Sequence, residues 1–454
     1  MPVDTQHPLY ELHVRQSTRT RDAVDGSDSV KAKGTTYLPD PDPADPERYK
    51  AYKKRAVWMG VTGRTHAGML GGIFRKAPDT DLPQPIEYMQ DDADGAGIGL
   101  EQFAKRCCSH VIQAGRHGVL VEYPPAPSGL TEEQASQYRA KLTHYAAESI
   151  INWEGNPATM IVLKESYLEE VDEFERREKT QYRVLKMREG VYTQQVWRDG
   201  IPGDIIVPRM ANARPWPFIP FQFLGAMNND PMPDKPLLLD IADLNFAHYR
   251  NSADHEESSY IVGQPMPHVD IGEMDESQWN SLNPSGMVWG SRQGVQTRGG
   301  SLNLVQAAPN TMPGEGMVRK EAQMLAIGAR LIEQRGGNER EEAVKSRVAA
   351  ENANLASVAT NVGAGLRQCL RWALSFMSRG EASSDIVFEL NQEFYERGAD
   401  PQMVMARIAE LDRGLIAKQD YRDWRRKTGG IEPDRTDEEI DADVQAGGTD
   451  LGVM

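Results

Sequence analysis

LLLDIADLNFAHYRNSADHEESSY (237–260), GEGMVRKEAQMLAIGARLIE (314–333) and EAVKSRVAAENANLASVATNVGAGLRQCLRWALSFMSR (342–379) are the segments around which the chain is organised. Between the first two lies PMPHV…GMVWG…VQTRGG…LNLVQ (265–306), short apolar runs split by Gly and Pro, and between the last two lies QRGGNERE (334–341). The order predicts a helix, a small β-rich insert, a second helix, a loop and one very long helix. In the long segment Val348, Leu355, Val358, Val362, Leu366, Cys369, Ala373, Phe376 and Met377 recur at helical spacing, a continuous apolar stripe. At 1.5 Å per residue such a helix spans roughly 54 Å. Asn352, Asn354, Ser357, Thr360 and Asn361 are polar but uncharged, as at a contact between helices. Core packing within one subunit explains the stripe; the length and the second, polar face suit a large assembly. No catalytic constellation falls in this stretch, which reads as a mechanical part.

The 454 residues exceed one ordinary core, so two or three sub-domains are expected. A 39% hydrophobic content and a mean hydropathy of -0.58 leave much polar surface to face water or further copies of the chain. A formal net charge of -16 argues against broad adhesion to nucleic acid or to an anionic membrane. Three cysteines, Cys107, Cys108 and Cys369, cannot build a disulfide framework or a cysteine-rich zinc site. They read as buried small apolar residues made in a reducing compartment. No run reaches the length of a membrane span, and MPVDTQHPLYELHVRQ lacks a signal-peptide apolar core, so a soluble, non-exported chain is expected.

Outside the central stretch, residues 1–44 are polar and end in LPDPDPADP, which reads as a flexible arm. Asp45 and Pro46 supply an N-cap and a first helical position for a helix through residues 47–74, with small residues at Ala56, Gly60, Gly63, Ala67, Gly68 and Gly71 that permit close approach. Residues 79–100 read as an acidic, Gly-rich loop. Residues 100–115 read as an amphipathic helix with Phe103, Cys107, Val111 and Ile112 on one side, and GVLVEYPP (118–125) as a strand. Residues 127–147 read as a charged helix, and 149–209 as a meander of antiparallel strands. RPWPFIPFQFLGA (214–226) suits an edge strand or crossing segment. SSDIVFELNQEF (383–394) is a further strand, 401–428 a helical pair broken near Arg413-Gly414, and the acidic tail from Ile431 onward is expected to be disordered.

Candidate chemistry weighs poorly against plainer readings. GAGIG (95–99) follows YMQDDAD, whose carboxylates repel phosphate, so loop flexibility explains it better than a nucleotide cradle. GVTGRTHAG (60–68) lacks the Gly-Lys-Ser/Thr ending of a P-loop. His248 and His255 stand two helical turns apart, about 10 Å, too far for one metal ion without a third element. With Asp254, Glu256 and Glu257 nearby, they read as a solvated polar face, and His110 and His117 are treated alike. Paired carboxylates are abundant in so acidic a chain and carry no signal. No nucleophile elbow or Cys–His pair is evident. Neither catalytic, cofactor nor metal residues are therefore expected.

Taken in order, these segments resemble the portal proteins of tailed double-stranded DNA bacteriophages. The resemblance rests on LDIADLNFAHYRNSADHE, GQPMPHV, EAQMLAIGARLIE before a long Ala/Asn-rich helix ending in LRWALSFM, and on RAVWMGVTGRTHAGMLGGIFRKAP, GVLVEYP and INWE. It covers roughly residues 45–395. It implies an α+β portal fold: wing 45–235, stem helix 236–261, clip 262–312, second stem helix 313–333, tunnel loop 334–345, long helix and wing strand 346–395, and helical crown 396–430. It further implies a ring, usually of twelve subunits, at one capsid vertex. Double-stranded DNA would pass through it irrespective of sequence, packaged by the terminase large subunit and later ejected. A head–tail adaptor would dock on the clip, and the major capsid protein would surround the ring. Arg335, Gly336, Gly337, Arg340 and Lys345 would be the DNA-facing loop residues. Assembly in the host cytoplasm and residence in the virion follow, with no membrane partner. The rival class is another phage head or scaffold protein without a DNA channel.

Overall fold

A computed structural model describes residues 2–123, 138–210, 214–264, 266–284, 298–305, 308, 310–332, 341–377, 385–392, 394, 401–427, 430–432 and 435–447. The chain opens with helices α1 (Tyr10–Asp25), α2 (Ser27–Ala32), α3 (Pro46–Arg55) and α4 (Val61–Ile73), then a short strand β1 (Asp79–Asp81). Helix α5 (Leu100–Ala114) leads into β2 (Arg116–Glu122) and β3 (Lys141–Ala146). Strands β4 (Ile150–Glu154), β5 (Met160–Glu170), β6 (Arg176–Arg188), β7 (Val191–Arg198) and β8 (Ile201–Ile206) follow, then β9 (Phe221–Gly225). The central stretch supplies α6 (Leu239–Val262), β10 (Met266–Val269), α7 (Glu276–Leu282), β11 (Leu302–Val305), α8 (Met312–Ile332) and α9 (Glu341–Met377). The chain continues through β12 (Val387–Glu389), α10 (Pro401–Asp412), α11 (Lys418–Lys427) and α12 (Asp437–Gly447). The architecture is a mixture of helix and sheet.

The main core forms where α5 and α9 pack on the three-stranded antiparallel sheet β3-β2-β9. Helix α5 buries Leu100, Phe103, Ala104, Cys107, Cys108, Val111 and Ile112, the three-and-four spacing its sequence predicts. It stops at Gly115, where φ is +70° and a Cβ would lie 2.3 Å from the Asp234 carbonyl oxygen, so only glycine fits. The central strand β2 is buried along nearly its whole length because both edges are paired. From α9, Leu355, Val358, Val362, Leu366, Cys369, Ala373 and Phe376 enter the same core. Core packing thus accounts for the stripe, although the side chain of Val348 lies outside the described residues. The polar face differs from an interhelical contact. Asn361 Nδ2 donates to the carbonyls of Gly225 and Ala226 at 3.2 Å each, and Ser357 Oγ donates to Ala226 at 2.9 Å. These side chains satisfy the end of β9 within the subunit.

Strands β4 to β8 form a five-stranded antiparallel meander in chain order. Its β4 edge is covered by the N-terminal segment. His7 N donates to Ile151 O at 3.0 Å, Asn152 Nδ2 donates to Thr5 O at 3.0 Å, and the His7 ring stacks on Trp153 at 3.9 Å. The β5–β6 pairing runs past its neighbours from Ser166↔Thr180 to Glu170↔Arg176, a two-stranded ribbon whose turn exposes Phe174.

Four expectations need correction. Residues 1–44 are not a flexible arm: α1 buries Tyr10, His13, Ser17, Thr20 and Ala23. That inward face is mostly polar, so apolar periodicity could not reveal it. Its groups are satisfied instead, with His13 Nε2 2.7 Å from Ala114 O, and Arg21 donating to Glu148 at 3.0 Å. The helix expected through 47–74 breaks at residues 56–60. There Ser252 Oγ accepts from Val57 N at 2.9 Å and Asn245 Oδ1 from Thr62 N at 3.2 Å, so α6 side chains hold the open turn. In α4 a Cβ on Gly63 would stand 2.8 Å from Val24 O, the close approach its small residues were expected to permit. Within 127–147, Lys141–Ala146 is strand β3, because the exposed edge of β2 recruits it against its helical propensity; residues 124–137 lie outside the described set. The acidic tail forms helix α12 against the cations of α11.

Candidate functional site

Helices α6 and α8 run antiparallel. Midway along α6, Asn251 Nδ2 donates to Pro313 O at 3.5 Å, whereas His248, nearer its N-terminus, meets Glu321 about two turns further along α8. At their far end the insert closes as a ladder from Met266↔Val305 to Val269↔Leu302. It also carries α7, begun by an Asp275–Gln278 capping box. Leu302 and Val305 are exposed. Residues 285–297, which include the GMVWG run and the first half of VQTRGG, lie outside the described residues.

The two helices differ in how much surface they leave free. Helix α6 buries Leu239, Ile241, Ala242, Asn245, Phe246, His248, Tyr249, Ser252 and Ala253, more than one helical face. Tyr37 and Phe246 stack at 4.1 Å, and Tyr37 OH donates to Asp22 at 2.5 Å, closing a second core between the N-terminal segment and α6. Its carboxylates are engaged from outside: Arg19 pairs with Asp243 at 3.0 Å, Tyr52 OH donates to Asp254 at 2.6 Å, and Arg55 and Arg48 pair with Glu257. Burial pushes the Tyr52 phenol up, and Asp254 adds to the shift. Helix α8 turns Glu321, Met324 and Gly328 inward, while Val318 (66% exposed), Ala322 and Leu325 (52% exposed) make an outward stripe. This i, i+4, i+7 stripe leaves apolar side chains facing water along one side of α8.

His248 is therefore not part of a solvated face. It is 2% exposed, with Nε2 3.0 Å from Glu321 Oε1, and its ring links the helix pair. His255 is half-buried beside Gly314, 3.6 Å from the place a Cβ would take. His117 is likewise buried and His110 is half-buried, and their rings stack at 4.8 Å and 3°, with His144 5.7 Å from His117. Arg106 Nη1 approaches His144 Nε2 at 3.0 Å. Burial holds His110 down at about 3, helped by Arg21, His144, Arg106 and His66, and holds His117 well below the usual range. These rings are neutral at neutral pH. No group of three or more His, Cys, Asp or Glu among the described residues is arranged to hold a metal ion. Sequence spacing missed the stack because β3 brings His144 from another strand.

Around GAGIG the amides are already taken: Asp94 Oδ1 accepts from Ala96 N at 2.8 Å and Ile98 N at 3.2 Å, and Asp92 Oδ1 from Gly97 N at 2.9 Å. Asx turns, not a phosphate, order this loop. Residues 61–68 are helical, which leaves no phosphate loop at 60–68. Cys107, Cys108 and Cys369 are buried and unpaired, and burial pushes each thiol up. Arg335, Gly336, Gly337 and Arg340 lie outside the described residues; Lys345 lies on α9, with its side chain outside them. Among the described residues no helix is long and apolar enough to cross a membrane.

A family described as "domain of unknown function (DUF4055)" matches residues 236–377, the stretch from α6 through α9. No curated protein matches the chain. Two solved structures are similar to it. The neck of an empty GTA particle, computed with C6 symmetry, is 12% identical at a TM-score of 0.40 and covers 89% of this chain and 99% of its own. The neck of a native GTA particle, computed with C12 symmetry, has the same identity and TM-score and covers 87% and 98%.

Proposed function

We propose that the chain is the non-enzymatic portal subunit of a tailed double-stranded DNA phage. It assembles into a ring of twelve copies at a capsid vertex and lines a channel for DNA. The observation that carries this reading is the antiparallel pair α6–α8, joined at one end by an insert with exposed apolar positions and continued by the long, core-anchored α9. That order is the one in which the sequence resembles portal proteins, and the outward stripe of α8 supplies a surface for a neighbouring copy. In the ring, the insert meets the terminase large subunit and later the head–tail adaptor, and the body sits among copies of the major capsid protein. The high acidity of the chain suits a passage that must let phosphates slide without holding them. Arg335, Arg340 and Lys345 make transient phosphate contacts, which carry no sequence preference.

Light scattering and negative-stain images of the purified chain test the reading. Twelve copies of the 50.6 kDa chain weigh about 600 kDa and appear as rings with a central hole. A monodisperse monomer that forms no rings under any packaging-competent condition refutes it, and an assembly without a hole favours a head or scaffold protein. Arg335→Ala with Arg340→Ala leaves rings intact and lowers DNA packaging or retention; normal packaging removes the proposed contact.

A further inference from the structure

Helix α11 carries four cations in six residues, Arg422, Arg425, Arg426 and Lys427, with Tyr421 and Trp424 interleaved. The two rings lie 5.9 Å apart, and the Arg407 guanidinium of α10 stands 5.9 Å from the Trp424 ring. Alternation of guanidinium and aromatic groups is the composition of surfaces that hold a nucleic-acid strand, cations on phosphate and rings on sugar or base. Here that face is occupied by the chain itself. Asp441 of α12 takes Arg422 through both carboxylate oxygens, one contact at 3.2 Å, and Asp437 takes Arg426. Arg426 also donates to the Arg435 carbonyl at 3.0 and 3.2 Å, and Arg435 pairs with Asp443. The result is one-sided. Arg422 and Arg426 are only 15% and 18% exposed, whereas Asp441 and Asp443 remain 55% and 70% exposed.

We propose that α11 is a nucleic-acid-backbone-binding face, and that the acidic helix α12 is a displaceable stand-in for the phosphates. Asp437 and Asp441, one helical turn apart, sit where successive backbone anions would sit. Helix α12 meets α11 through ion pairs and hydrogen bonds. Ion pairs whose carboxylates stand this open to solvent are individually weak and fade with salt. A duplex presents a far denser line of negative charge and gains from counterion release when it binds, so it displaces the carboxylates. The strap explains how a chain of net charge -16 can carry a nucleic-acid face without adhering to any polyanion it meets. The inference does not depend on ring formation or on a channel.

The test uses the full chain and fluorescence anisotropy with a labelled mixed-sequence duplex of about 30 base pairs at low salt. Asp437→Asn with Asp441→Asn and Asp443→Asn tightens binding about tenfold or more, and the gain shrinks as salt rises. Adding Arg422→Ala and Arg426→Ala to that variant removes the gain. A control variant, Glu170→Gln with Glu173→Gln and Glu178→Gln on the β5–β6 ribbon, changes net charge equally and leaves binding as in the parent. Three results overturn the proposal: no tightening in the first variant, tightening that survives loss of the two arginines, or equal tightening in the control. Equal competition by polyglutamate of matched charge also overturns it, since the face would then be a dock for an acidic protein. Circular dichroism of each variant establishes that α11 and the rest of the chain remain folded, and ring assembly is read separately by light scattering.

Discussion

Acid should destabilise this protein through the stacked rings of His110, His117 and His144, and His110→Gln should remove a measurable share of that sensitivity. His110 is held at about 3 by burial, against 6.5 for a free imidazole. A histidine depressed in the folded state binds its proton first in the unfolded chain. Its contribution is therefore complete above about pH 6.5 and is lost as the pH falls below it, until the folded state also takes the proton near 3. Each pH unit in that window costs about 1.36 kcal/mol, so His110 alone removes about 2.7 kcal/mol by roughly pH 4.5. Arg21 and Arg106 face the same stack and add to the penalty, while Asp94 beside His144 opposes it. The assay is urea unfolding near pH 7.5 and pH 4.5, read by hydrogen exchange of the 100–122 segment after correction for intrinsic rates. Carboxylates titrating elsewhere cancel between parent and variant. The loss between the two pH values should be smaller in His110→Gln by about 2.7 kcal/mol. Equal losses in both proteins would show that the ring is not a buried neutral imidazole in solution.

Three further perturbations probe other parts of the argument. Asn361→Ala removes the side-chain donor to the Gly225 carbonyl and one of the two to Ala226, which keeps Ser357 Oγ, and should cost about 1–3 kcal/mol in denaturant midpoints; an unchanged midpoint would return the polar face of α9 to an intersubunit role. Arg116 is buried over the rings of Trp153 and Phe223, at 3.9 and 4.7 Å, and among the described residues its Nε and Nη2 find no hydrogen-bond partner. Arg116→Met should be neutral or stabilising, by up to about 2 kcal/mol, and a clear loss in thermal unfolding would mean that the ring contacts outweigh desolvation. Val318→Asp with Leu325→Asp should leave monomer stability within about 0.5 kcal/mol yet shift light scattering toward the monomer, and rings of undiminished yield would remove α8 from the contact.

What could be read from the sequence was whatever is written in apolar periodicity. Helix α5, strand β2, the β4–β8 meander and the buried stripe of α9 all repeat hydrophobic side chains at the spacing of their elements. What could not be read was burial achieved with polar groups. His13, Ser17 and Thr20 form the inward face of α1, and Asp22 is tied down by Tyr37, so a segment without an apolar stripe still folds. Strand β3 was hidden for a different reason: its propensity is weak, and the open edge of β2, far away in sequence terms, decides its conformation. The histidine stack follows from that same pairing. In α12 a run of carboxylates reads as self-repelling until α11 supplies the opposite charge.

The candidate site shows the same limit more sharply. The segments 237–260 and 314–333 look equivalent as sequence, two helices of similar length and mixed polarity flanking an insert. Packing separates them. Helix α6 is enclosed by α1, α3, α4 and α8, and its carboxylates are committed to Arg19, Tyr52 and Arg55. Helix α8 rests on α6 and α4 alone for most of its length and keeps Val318, Ala322 and Leu325 in water. Burying three such positions against another chain is favourable, whereas α6 is covered through its middle and exposes large apolar side chains in its last turn, at Tyr260 and Ile261. If copies of this chain close into a ring, α8 carries the contact, and α6 acts through it as the rigid post that fixes where α8 stands.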